Sequence, residues 1–220
     1  MPSVIKRFSM LRRNPALTHG MFSRHYREVH GPLAAAQAGF RQFAYRYDQN
    51  HVEADLFGHD DPPFNGITVT FQVPRPDYRQ GFFQHPDYAK VRPDEEHLFD
   101  LSRTVSVLGE ETVVLAGEGA AKAIIVGRPG KSGASEDHDV GGSNRAGVRR
   151  AVRNDLDAAS ASALGLGQAS VEYGRLWEIW FDSAESRARC LAEPSFLNLV
   201  CRGDPQDIAV ALAVREVMIF

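Results

Sequence analysis

The sequence predicts an α+β protein made of two ferredoxin-like halves that pack on each other as a barrel. Three observations carry this. The elements of the first half read β-α-β-β-α-β, and the second half runs through a similar order. The length of 220 residues suits two units of about 110 residues each. Short segments also recur. His85-Pro86-Asp87-Tyr88 is followed by Asp94-Glu95-Glu96, while Glu193-Pro194-Ser195-Phe196 is followed by Asp204-Pro205-Gln206-Asp207. The halves divide as 1–117 and 118–220, with the join between Leu115 and Ala121.

Residues 3–11 alternate, with Val4, Lys6, Phe8 and Met10 on one face and Ile5, Arg7, Ser9 and Leu11 on the other, as in a strand. Asn14-Pro15 breaks it, and Thr18 caps a helix over 19–30. Phe22, Tyr26, Val29 and Leu33 make one stripe of that helix, which Gly31-Pro32 interrupts. Residues 40–52 read as a long second strand with Phe43, Tyr45, Tyr47, Gln49 and His51 on one face. A polar loop over 53–65 leads to a third strand at 66–73. Helices near 76–84 and 94–101 and a strand over 103–115 complete the half. In the second half, 120–127 reads as a strand, 128–143 as a Gly- and Ser-rich loop and 144–159 as a helix. Paired strands follow at 167–173 and 175–181, then a helix at 183–192 and a closing strand at 208–219. Each half would leave one sheet face bare. Two bare faces packed together would enclose a space for a small ligand.

Composition excludes several function classes. Net charge is −3 with no basic stripe, so nucleic acid is not an expected partner. No apolar run approaches the ~20 residues of a membrane span, and no signal-peptide pattern opens the chain. The two cysteines, Cys190 and Cys201, have no metal-ligand spacing and suit a reducing cytoplasm. His59-Asp60-Asp61 is the only tight cluster of metal-type ligands, and it lies in a loop. Gly127-Arg128-Pro129-Gly130-Lys131-Ser132-Gly133 lacks the spacing of a phosphate loop. The expectation is a cytoplasmic protein without cofactor or metal, partnered by a small-molecule substrate and compatible with a homodimer.

Three stretches of the first half resemble one known family. They are Ile5–Arg13, the run Phe22-Ser23-Arg24-His25-Tyr26 continuing to Val29-His30-Gly31-Pro32-Leu33, and Tyr47-Asp48-Gln49-Asn50-His51-Val52. The acidic segment 94–100 adds to them. Together they resemble the EthD family within the dimeric α+β barrel group, and the His-Tyr-x-x-x-His-Gly-Pro-Leu run is the most specific piece. The second half matches only in its order of elements and has no counterpart of His30. The resemblance implies a fused pseudo-dimer whose first half carries the chemistry. It also implies cofactor-free work on small organic molecules, as in aromatic polyketide pathways or aromatic compound catabolism.

Histidine is the side chain best suited to proton transfer near neutral pH. His30 and His51 are the candidate catalytic pair, and Tyr26, Tyr45, Tyr47, His25 and Phe43 are the candidate substrate-binding residues. His30 lies four residues after Tyr26, on the same side of the helix, and either enters a pocket or caps the helix end. His51 either ends an aromatic wall or merely ends a strand. His25 is about 140° around the helix from His30, so the two are not expected to address one atom. Asp94, Glu95 and Asp100 either support a histidine or serve as surface charges of a short helix. His59, His85, His97 and His138 read as solvent-facing. The expected activity is that of a lyase, a decarboxylase or dehydratase of an aromatic or polyketide-like acid. A cyclase or isomerase would use the same groups, and a non-enzymatic binding protein for an aromatic metabolite would keep only the aromatic wall.

Overall fold

In the first strand, apolar residues alternate with polar ones because the strand serves two environments. The computed structural model, which describes residues 3–128, 147–164, 167, 169, 171–193, 196 and 207–220, places β1 at Ile5–Leu11. Phe8 and Met10 point into a barrel, while Arg7, Ser9 and Leu11 face the helices. Next come α1 (His19–His25), a π turn (Tyr26–His30), α2 (Gly31–Ala35), α3 (Ala38–Phe43), β2 (Ala44–Asp55) and β3 (Gly66–Gln72). A 3-10 turn (Phe82–Gln84), α4 (Tyr88–Leu98) and β4 (Val105–Leu115) finish the first half. The rest is β5 (Ala121–Gly127), β6 (Val148–Ser162), β7 (Arg175–Phe181), α5 (Ala184–Leu191) and β8 (Ile208–Met218).

All eight strands pair antiparallel in the closed order β1-β3-β2-β8-β5-β7-β6-β4. The first four strands therefore lie side by side as β4-β1-β3-β2, and the last four as β8-β5-β7-β6. The seams between them are β2 with β8 and β4 with β6. Closure removes both sheet edges.

Several expectations need correction. The 144–159 segment is not a helix where it is described. It forms β6, because its backbone is needed on both sides, by β4 and by β7, to close the barrel. Residues 171–174 form no strand, so β7 pairs with β5 and β6 rather than with a partner at 167–173. Residues 40–43 are helical, so the second strand starts at Ala44 and Phe43 is not on it. The helix near 76–84 reduces to turns and the short 3-10 segment, and the helix expected over 94–101 starts six residues earlier, at Tyr88, and ends at Leu98. The loop at 129–143, His138, Cys201 and the second-half segments at 194–195 and 204–206 lie outside the described residues.

The middle of the space between the halves is filled, and a cavity of about 620 Å³ opens at its edge, lined by Phe64, Thr104, Val105, Arg128, Tyr173 and Ala209 among others. Phe8, Ile67, Val69, Val107, Ile124 and Leu212 are among the apolar side chains that fill the middle. At one end this core holds buried charges. Lys6 Nζ donates to Glu178 Oε1 at 2.6 Å and pairs with Glu111. Lys122 Nζ donates to Glu178 Oε2 at 2.7 Å and to Glu216 Oε1 at 2.5 Å. Burial alone would raise the Glu178 carboxyl, but the two ammonium groups outweigh burial and hold it far below the usual carboxylate range.

Glu178→Leu leaves both lysines without their shared partner, so a loss of about 3–5 kcal/mol in urea denaturation is expected. A loss below about 1 kcal/mol would mean that water replaces the carboxylate. Because the folded-state carboxyl titrates below its unfolded value of 4.5, its stabilisation is present above that pH and is lost as pH falls.

Candidate active site

The segment 19–35 is helical throughout, but it changes register at Tyr26–His30. Pro32 has no N–H to donate back to the preceding turn, so a regular ladder cannot run through it. The Gly31 N–H instead reaches five residues back to the Tyr26 carbonyl. This extra residue shifts the phase of the apolar stripe. Val29, expected to face inward, is 45% exposed, while His30 is buried on the same side as Tyr26. The Tyr26 carbonyl also accepts from Gln49 Nε2 at 2.7 Å. A Cβ on residue 31 would lie 2.7 Å from that nitrogen, so any larger residue there would push the Gln49 amide aside.

The pocket lies outside the barrel, between the helices and the outer face of β1, β2 and β3, with a cavity volume of about 60 Å³. Its walls include Tyr47, Phe40, Phe43, Phe82 and Val91. A volume near 150 Å³ holds benzene. An aromatic ring therefore enters only when these walls move apart.

His30 lines the pocket, and its Nδ1 lies 2.9 Å from Asp94 Oδ2. The carboxylate keeps the proton on Nδ1 and leaves Nε2 for the pocket. His25 Nε2 lies 2.6 Å from the other oxygen, Asp94 Oδ1. Thus His25 and His30, expected to diverge, meet through one carboxylate. Burial would raise Asp94, but the hydrogen bonds from His30 and His25 outweigh it and hold the group below its usual range. Among the described residues, no cluster of three or more His, Cys, Asp or Glu is placed to hold a metal ion.

Glu95, also in the pocket wall, is buried, which raises its carboxyl above the usual range. The Tyr88 hydroxyl donates to Glu95 Oε2 and lies 2.9 Å from the Leu164 carbonyl, which also accepts from Arg92 Nη1 at 3.2 Å. Arg92 Nη1 in turn lies 3.9 Å from Glu95 Oε2. Leu164 has φ 43, a left-handed conformation costly for a leucine, and brings a residue from beyond β6 into the wall of the first-half pocket.

The remaining predicted site residues separate. Tyr47 lines the pocket, its hydroxyl accepting from Gln49 Nε2 at 3.0 Å, and burial raises its pKa. Phe43 lines it too, from α3. Tyr26 is buried behind the pocket and bonds Thr68 Oγ1 at 2.6 Å. Tyr45 is 54% exposed and lies off the site, because a register shift between Ala44 and Arg46 breaks the alternation. His51 does not share a pocket with His30. Its ring and the His30 ring lie 5.0 Å and 5.9 Å from the Tyr26 ring. Both His51 nitrogens are engaged: Nδ1 accepts from Ser23 Oγ at 2.9 Å, and Nε2 donates to Gln49 Oε1 at 3.2 Å. Burial, with Arg215, Arg27 and His19 adding positive charge, lowers its pKa to about 4. His85, expected in solvent, is half-buried against Gly39, where an added Cβ would overlap its ring.

Sequence reasoning left Asp94 and Glu95 as open alternatives and passed over Arg7. Each had a signal. Val91, Glu95 and Leu98 form one helical stripe once the helix begins at Tyr88. Arg7 is a long cation between Ile5 and Ser9 on one strand face, and that face turns out to be the covered one.

Between pH 4 and 6.5 the folded state holds fewer protons on His51 than the unfolded chain. The resulting stability is present above pH 6.5 and is lost as pH falls through 4. His51→Gln is expected to flatten the dependence of the urea midpoint on pH across that window. An unchanged slope would show that His51 does not titrate in this way.

Residues 14–102 match the EthD domain. No curated protein matches the chain. Among solved structures, the chain is similar to a "putative monooxygenase" from Lactobacillus acidophilus NCFM, at 6% identity and a TM-score of 0.48, over 99% of this chain and 96% of that one. The EthD match spans the helix that carries His25 and His30, strands β2 and β3, and α4 with Asp94 and Glu95. Residues 14–102 of this eight-strand α+β barrel are thus similar to an EthD domain.

Proposed function

We propose that the protein is a cofactor-independent lyase, acting on an aromatic or polyketide-like small acid by proton transfer through His30. The observation that carries this is the His30–Asp94 pair in the wall of a mostly apolar pocket, in which Nδ1 is bonded to the carboxylate and Nε2 is left for a substrate. In a dehydration, Nε2 takes the proton alpha to a carbonyl. The electron pair forms the enolate and then expels the hydroxyl, which leaves as water with the proton from His30. In a decarboxylation, the carbon–carboxylate bond breaks and the carbon takes the proton from imidazolium His30, which Asp94 stabilises. The Tyr47 hydroxyl accepts from Gln49, so its own proton is available to a developing oxyanion. His51 has no part in this reading.

The barrel itself reads best as two fused ferredoxin-like halves, 1–117 and 118–220. The strand order supports it, since each half runs fourth-first-third-second across its sheet. The buried charges support it as well. Lys6 and Lys122 are each the second residue of the first strand of a half, and each pairs with a glutamate of the fourth strand, Glu111 or Glu216.

A panel of aromatic and polyketide-type keto and hydroxy acids tests the activity. His30→Ala is expected to lower turnover by ~10²–10⁴-fold. Asp94→Asn, which removes charge but keeps shape, should lower it by a smaller factor. Tyr47→Phe should cost about 1.5–3 kcal/mol of transition-state stabilisation. Near-normal turnover in both His30→Ala and Asp94→Asn would overturn the proton-transfer role. Binding without turnover in the parent protein would favour a binding protein.

A further inference from the structure

Arg7 is 6% exposed and lines the pocket. Among the described residues, no carboxylate lies within ion-pair distance of its guanidinium. The two nearby acids of the pocket region are committed elsewhere, Asp94 to its two histidines and Glu95 to Tyr88 and Arg92. The guanidinium is nonetheless held in place. Its Nη2 donates to the carbonyls of Tyr78 at 3.1 Å and Arg79 at 2.8 Å, and it lies 5.4 Å from the Phe83 ring centroid. Gly81, at φ 63, packs against it so closely that a Cβ there would sit 3.0 Å from Nη2. Nε is buried with no acceptor. Burial lowers the pKa to about 10, so the group stays charged at neutral pH. A buried charge without a partner is costly. Here the surroundings orient the cation but do not neutralise it, and the other polar groups nearest it on the sheet, Ser9, Thr68 and Thr70, are neutral.

We propose that Arg7 is the anion subsite of the pocket, pairing with a carboxylate of the substrate and so restricting the substrates to small organic anions. This rests on the pocket being the substrate site, and it makes Arg7 a specificity-determining residue rather than a proton-transfer group. Cross-strand register places Arg7 in one row with Thr70 and Tyr47, and Ser9 in the next row with Thr68, to which Tyr26 is bonded. Same-face rows lie about 7 Å apart along a strand. A carboxylate on Arg7 would thereby orient the rest of a small molecule along the wall that leads towards His30.

Benzoate and benzamide are near-equal in shape and differ in charge, so binding of the two is compared by ligand-observed NMR. The parent protein is expected to prefer benzoate by ~10-fold or more, as a charge-assisted hydrogen bond allows. Arg7→Gln should remove the preference, and Arg7→Lys should keep part of it. No preference in the parent protein, including no binding of either probe, would overturn the proposal, as would a preference that survives in Arg7→Gln. If Arg7→Gln does not fold, the parent comparison and Arg7→Lys decide. His30→Gln should keep the benzoate preference. A failure of the proton-transfer reading then shows as normal turnover in His30→Gln with this preference intact, and a failure of the anion subsite shows as its loss.

Discussion

Glu178 accepts from Lys6 of one half and Lys122 of the other, one lysine on each carboxylate oxygen, and from Asn154, inside a barrel whose core is mostly hydrocarbon. Such a pair of contacts can form only when the strands of both halves are in register, because a slip of one residue would turn either lysine out of the core. The middle of the barrel is therefore filled and specified. The pocket that His30 lines lies on the other face of the first-half sheet, under the helices. That single constraint places Arg7, Tyr47 and Thr70 in the pocket and Lys6, Phe8 and Val69 in the core, although all six stand on neighbouring strands.

The second constraint is local. Pro32 cannot sustain a regular helix through the preceding turn, and the π turn that results leaves His30 on the side of Tyr26 while Val29 turns outward. Gln49 locks the turn by donating to the Tyr26 carbonyl, and its remaining oxygen fixes the His51 tautomer. His51 is thus tied to the scaffold that presents His30. The two histidines differ in chemistry because one has both nitrogens bonded within the protein and the other has one nitrogen left for the pocket.

Inside the pocket, burial sorts the ionisable groups. Burial raises the Glu95 carboxyl even though His30 and Arg92 face it, and Tyr88 donates to it. Asp94 stays ionised because two imidazoles donate to it. Arg7 stays charged but lacks a counter-ion among the described residues. A pocket with an imidazole oriented by a carboxylate and a cation that has no counter-ion among the described residues is suited to an anionic guest. Low local polarity strengthens each of these interactions relative to water.

Much of this was legible in the sequence. Alternation in 3–11 marked a strand, a closing strand was read at 208–219, Thr18 marked a helix start, and the His-Tyr-x-x-x-His-Gly-Pro-Leu run marked the helix that carries His30. These are local signals, set by side-chain period and by backbone chemistry over a few residues. Three things were not legible, each for a non-local reason. Residues 148–162 became a strand because the barrel needed a closing partner for β4 and β7, which overrode their helical composition. The stripe of the first helix was read with Val29 inward, because strict 3.6-residue spacing does not anticipate a π turn. Alternation showed that Lys6 and Arg7 face opposite ways, but only closure of the barrel decided which cation would be neutralised in the core and which would meet the pocket without a partner. Sequence determines which residues share a face; tertiary structure decides what that face is packed against, because burial depends on partners far apart along the chain.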